Sequence, residues 1–153
     1  MPLSSHPKET GHGTLPCHRR RQLALFSVKG ISRLEIHVKR IYESPESTDG
    51  YRLLVDRLWP RGVSKERVSL DAWMKEAGPS SELRRWFGHD VSRWLEFKRR
   101  YGAELDTRQD LVTEILSLAI DRPVTLLYSA RDPDHNQAVA LAEYLTALRS
   151  YRA

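Results

Sequence analysis

Two groups of polar residues stand directly behind apolar runs: Asp56, Arg57, Trp59 and Arg61 after Leu53-Leu54-Val55, and Arg131, Asp132, His135 and Asn136 after Val124 to Tyr128. Guanidinium groups hold carboxylates and phosphates through paired N–H donors. A histidine exchanges a proton near neutral pH, and a carboxylate beside it can serve as acid or base. Such a set could capture a small anion on Arg57, Arg61 and Arg131, with Trp59, Asp132 and Asn136 completing the binding surface. His89, His135 and Asp56 are the candidates for moving a proton. Each assignment has a structural counterpart. Arg57 could pair with Asp56 or Asp132 as a clasp, Asp132 or Asp134 could cap the helix that follows, and His89 could be a turn residue between Gly88 and Asp90.

The elements that must position these groups can be read from periodicity. Ile36 to Tyr42 alternates as a first strand, and the Ser-, Pro- and Asp-rich loop from Glu43 to Gly50 follows it. Tyr51 to Asp56 and Val124 to Ala130 are continuous apolar runs, the pattern of strands covered on both faces. Between them the sequence predicts helices: a short one over Asp71 to Ala77, one over Glu82 to Phe87 capped by Ser80 or Ser81, one from Val91 to about Leu105 capped by Asp90, and one over Arg108 to Ala119. Asn136 to Leu148 reads as the last helix. Strands separated by helices favour a parallel pair joined by a helical crossover, so the loops after both strands open on one edge of the sheet, where ligands of α/β proteins usually bind. The last helix adds the free N–H groups of its first turn, which attract anions. The fold class expected is therefore α/β: one small domain with a mostly parallel central sheet flanked by helices, over residues 36–150.

Composition narrows the function classes. A chain of 153 residues, 40% hydrophobic and 29% charged, suits one globular domain. No apolar run approaches the roughly 20 residues of a membrane span. The single cysteine, Cys17, precludes an intrachain disulfide and suits a reducing compartment, so a cytoplasmic location is expected. It also excludes a cysteine nucleophile from the domain that starts at Ile36. The formal charge of +5 is concentrated early, with eight basic residues against Glu9 and Glu35 among the first forty. Residues 1–35 read as a disordered basic tail or a misassigned start. No pair of ligating residues has metal spacing on a helix, and the group His12, Cys17 and His18 lacks a structured setting, so neither metal nor cofactor is expected.

Several phrases together carry a family likeness: Asp49-Gly50-Tyr51-Arg52, Leu54-Val55-Asp56-Arg57-Leu58-Trp59-Pro60-Arg61-Gly62, Trp86-Phe87-Gly88-His89-Asp90, and Val124 through Asp132. From about Ile36 to Leu148 the chain resembles the YeaO-like family of bacterial proteins of unknown function. The resemblance implies an α/β domain and brings no activity with it. Related sequences of the wider superfamily resemble it but carry Cys-His-Arg in the loop after the last strand. This chain has Asp132-Pro133-Asp134-His135-Asn136-Gln137 there, without the thiol.

Three readings follow. The first is an enzyme or binding domain for a small anionic metabolite. The second is a nucleic-acid-associated protein, in which Trp59, Trp73, Trp86 and Trp94 stack on bases beside Arg84, Arg85, Lys98, Arg99 and Arg100. The third is a partner-binding module without catalysis, which predicts an exposed apolar patch. Oligomeric state is left open.

Overall fold

The computed structural model describes residues 34–152. The basic segment before Leu34, with His12, Cys17 and His18, lies outside the described residues, as does the tail assigned to it from sequence. Four strands form one sheet: β1 (Ile36–Arg40), β2 (Tyr51–Leu54), β3 (Ala72–Trp73) and β4 (Val124–Tyr128). Their order is β1-β4-β2-β3, and every pairing is parallel. The helices are α1 (Lys65–Val68), α2 (Ser81–Phe87), α3 (Trp94–Asp106), α4 (Gln109–Asp121) and α5 (Gln137–Arg152). The α/β architecture expected from the sequence is the one observed, and β4, buried at all five positions, is central.

The two-residue period of the strands sorts their side chains into two layers. Leu53, Val55, Val124, Leu126 and Tyr128 join the large core, which receives Phe87 of α2, Phe97, Tyr101 and Leu105 of α3, Ile115 of α4 and Leu141 and Leu145 of α5. The alternate residues Leu54 and Leu127 face a smaller cluster with Ile41 and Val68, roofed by Trp59, Val63, Leu70 and Trp73. The four longer helices thus cover one face. Among the described residues, the other carries the connections that leave β1 and β2.

That second face is pinned by a buried polar cluster. Asp49 accepts from Lys39 Nζ at 3.2 Å, from the Glu46 N–H at 3.0 Å and from Arg52 Nη1. Arg52 also donates to the Ser69 and Val68 carbonyls, both at 3.0 Å, and Thr125 Oγ1 donates to the Asp49 carbonyl at 2.6 Å. Lys39, the Glu46–Arg52 stretch and Val68-Ser69 meet on one carboxylate and one guanidinium, and Thr125 joins them through the Asp49 backbone. Gly50 follows at φ +66, where an added Cβ would lie 2.1 Å from the Pro123 carbonyl oxygen that accepts the Tyr51 N–H. The Asp49-Gly50-Tyr51-Arg52 phrase is therefore a structural joint between β1, β2 and β4.

Two expectations need correction. Asp71 to Ala77 is not a helix: Ala72–Trp73 pairs with Leu53 and Leu54 as the edge strand β3, and only Lys75–Ala77 turns, as one 3-10 turn. The Asp71 and Met74 N–H groups donate to the Arg52 and Leu54 carbonyls at 2.9 Å, so a free sheet edge overrides the local helical preference. The helix expected from Val91 begins as a 3-10 turn, Val91–Arg93, with Asp90 accepting from the Ser92 N–H at 3.0 Å, and becomes α-helical at Trp94.

Candidate functional site

Because β2 and β4 are parallel neighbours, the chain leaves both at the same sheet edge. The strands themselves end at Leu54 and Tyr128, but Val55 N–H still donates to Leu127 O at 3.1 Å, so Asp56 is delivered beside Ser129. Arg40, at the end of β1, fixes the far side by donating to the Ala130 carbonyl at 2.9 Å and the Ser129 carbonyl at 3.3 Å. After Asp56 the chain folds back over the small cluster. Trp59 anchors it by packing edge-on against Trp73, with centroids 5.2 Å apart, and by donating to Val63 O at 2.8 Å.

These constraints leave a cavity of about 280 Å³ at the C-terminal ends of β2 and β4. Asp56 is 8% exposed and lines it. Its carboxylate accepts from the Ser129 N–H at 3.1 Å, from Ser129 Oγ and from Gln137 Nε2. All three are neutral donors. Burial pushes the Asp56 carboxyl above the usual range, and those hydrogen bonds, with Arg84 nearby, only partly offset it. The Arg61 and Arg84 side chains also line the cavity, and neither makes a hydrogen bond or ion pair with a described residue. Phe87, Phe97, Pro60 and Pro79 supply an apolar wall.

Of the residues singled out from sequence, the structure brings Asp56, Arg57, Trp59, Arg61, His89 and Asn136 to this cavity. Arg57 is engaged: its Nε donates to Pro79 O at 3.0 Å and its Nη2 to Gly78 O at 3.3 Å, so neither Asp56 nor Asp132 is its partner. Asn136 is the cap of α5, accepting from the Val139 N–H at 3.1 Å and donating to Asp132 O at 2.9 Å. His89 is exposed at φ +57, its ring centroid 6.2 Å from that of Phe87.

The cavity wall does not include Arg131, Asp132 or His135. Asp132 accepts from the Asp134 N–H at 2.9 Å and from the His135 N–H, and meets His135 Nδ1 at 2.9 Å. The backbone bond from Asp134, then His135, holds the Asp132 carboxyl below its ordinary range. The His135 ring stands edge-on to Trp94 at 5.3 Å. The loop after β4 is thus folded on the Asp132 carboxylate, and it contributes Ser129, Ala130 and Asn136 to the cavity rather than Arg131, Asp132 or His135.

Sequence reading did not assign Ser129 or Gln137 to the site, and named Arg84 only on a basic helix face, as a nucleic-acid contact. Ser129 and Gln137 lie next to residues already singled out, so a two-residue wider window would have included them. Arg84 carried no such signal, because only the packing of α2 against α3 and the sheet brings it to the cavity.

The aromatic residues of α2 and α3 are occupied. Phe87 stacks on Phe97 at 4.4 Å, and the Arg93 and Arg100 guanidiniums lie 5.2 and 4.2 Å from the Trp86 ring. Arg99 and Arg100 both bond Glu96. Among the described residues, no group of three or more His, Cys, Asp or Glu could hold a metal ion, and no helix is long and apolar enough to cross a membrane.

The family model that matches, over residues 35–152, is DUF488-N3i, described as an inactive DUF488-N3 subclade. The Escherichia coli (strain K12) protein named uncharacterized protein YeaO is 44% identical over 115 residues, covering 75% of this chain and all of that protein. The Mycobacterium tuberculosis (strain H37Rv) uncharacterized protein Rv3073c is 36% identical over 115 residues, covering 75% of this chain and 97% of the relative. The Mycobacterium bovis uncharacterized protein Mb3100c matches to the same extent. No solved structure matches. With the matched region spanning the whole described fold, the chain belongs to the YeaO-related DUF488-N3i family.

Proposed function

We propose that the cavity at the ends of β2 and β4 binds a small anionic ligand and that the domain acts as a binding module rather than a catalyst. The observation that carries this reading is the pair Arg61 and Arg84, two cations lining one concave, partly apolar cavity without a hydrogen bond or ion pair of their own. Two further points favour binding over catalysis: the matching family model describes an inactive subclade, and Cys17 lies ahead of the domain. Engagement of Trp86 by two arginines lends the nucleic-acid reading less support.

The test is a thermal-shift titration of the full chain with millimolar phosphate esters and carboxylates. A ligand present at 100 times its Kd stabilises by about 2.7 kcal/mol, a shift of several degrees. The expected result is a rise for one anion class that Arg84→Ala and Arg61→Ala each reduce. A flat response to every small anion would overturn the reading.

A further inference from the structure

The cavity wall carries groups of opposite character. Asp56, nine-tenths buried, lines it with a carboxylate whose hydrogen-bond donors are all neutral, with the Arg84 charge nearby. A carboxylate offers about four lone-pair sites, and three are used: Ser129 occupies two on Oδ2 and Gln137 one on Oδ1. Oδ1 keeps an acceptor position. Among the described residues no ion pair reaches Asp56, Arg61 or Arg84, although all three line the same cavity. Phe87, Phe97 and Pro60 contribute apolar surface to its wall.

A simple anion would satisfy the arginines and leave the remaining acceptor position of Oδ1 unused, and a simple amine would do the reverse. From this we infer that the ligand is bipolar: an anionic group for Arg61 and Arg84, an N–H donor for Asp56 Oδ1, and a flat apolar body for the wall that Phe87, Phe97 and Pro60 supply. The commonest compact molecules with all three features are nucleoside 5′-monophosphates, whose base carries N–H donors on a π-face and whose phosphate carries the charge. About 280 Å³ suits one such molecule and excludes an oligonucleotide. The inference rests on the anion-binding reading and adds a requirement to it. A buried acceptor discriminates strongly, because an analogue lacking the N–H leaves the carboxylate unpaired when water is displaced.

Calorimetry on the full chain tests this with the four ribonucleoside 5′-monophosphates, ribose 5-phosphate and adenosine. At least one nucleotide is expected to bind ten-fold or more tighter than ribose 5-phosphate and than adenosine, a comparison needing no variant. Asp56→Asn should weaken that nucleotide about ten-fold and leave ribose 5-phosphate unchanged, whereas Arg84→Ala should weaken both phosphates. Ribose 5-phosphate binding as tightly as every nucleotide, or nucleotide affinity untouched by Asp56→Asn, would overturn the bipolar ligand while leaving the anion site standing. Absence of binding by ribose 5-phosphate and by all four nucleotides would remove both.

Discussion

Asp49 and Asp56 flank β2 and are both buried, yet their surroundings push them in opposite directions. Burial raises Asp49, but hydrogen bonds from the Glu46 N–H, Lys39 and Arg52 outweigh it and leave the carboxyl below its ordinary range. A lowered folded-state pKa contributes stability above the unfolded value of about 4, and that contribution is lost as pH falls below it. Asp49→Asn should therefore lower the unfolding free energy by about 2 kcal/mol at pH 7, with a loss that shrinks towards pH 3, read from urea midpoints at both pH values. For Asp56, burial dominates and the shift is upward. Its contribution is fully present below the unfolded pKa and is lost as pH rises through the raised folded value, so the carboxylate costs stability at neutrality. Asp56→Asn preserves the shape, and Gln137 can turn its carbonyl towards the new amide. The variant should be more stable than the native chain at pH 7, by about 1 kcal/mol, and the gain should vanish in acid. A variant less stable at neutral pH would show that the Ser129 and Gln137 bonds compensate the burial. From sequence, Asp49 was one letter in a family phrase and Asp56 one of several polar residues behind a strand; neither its burial nor its partners could be read there, because those partners lie in other segments of the chain.

At the scale of elements, each short piece of structure is held by a specific joint. The φ of Gly50 and the 2.1 Å that would separate an added Cβ from Pro123 O make Gly50→Ala a test of the β1–β2–β4 joint. A loss of about 3 kcal/mol is expected, from backbone strain plus displacement of the Pro123 carbonyl that accepts the Tyr51 N–H. Chemical denaturation measures it directly. The other joint is Ser80, which caps α2 by accepting from the Leu83 N–H at 3.1 Å and ties the helix to α3 by donating to Glu104 at 2.6 Å. Ser80→Ala should cost about 1–2 kcal/mol in the same assay, since the cap and the hydroxyl's bond to Glu104 are lost together while the Ser80 N–H keeps its own bond to Glu104 at 2.9 Å. The sequence placed the cap at Ser80 or Ser81, and the structure assigns it to Ser80; the tether had no signal in the sequence. β3 is the converse case. Its composition resembles a short helix, and only the unpaired edge of β2 makes a strand of it.

Across the whole molecule, the core among the described residues draws on the sheet and on α2 to α5, and the family match starts at residue 35. A chain starting at Leu34 should therefore keep a cooperative thermal transition within a few degrees of the full chain; a drop of 10 °C or more would show that the preceding residues contribute to the fold. The order β1-β4-β2-β3 places the loops after β2 and β4 side by side, and that placement creates the cavity. Much of this was determined by sequence alone: the α/β class, the parallel pairing of the two apolar runs, the helices of the crossover and the edge at which polar residues gather. These rest on local periodicity and on the small number of ways a strand, a crossover and a second strand can pack. Which polar residues face the cavity was decided by tertiary structure. Arg57 turns to two carbonyls, the loop after β4 closes on Asp132, and α2 brings Arg84 to the wall. The direction of a side chain at a strand end depends on hydrogen-bond partners far away in the chain, and no local pattern encodes them.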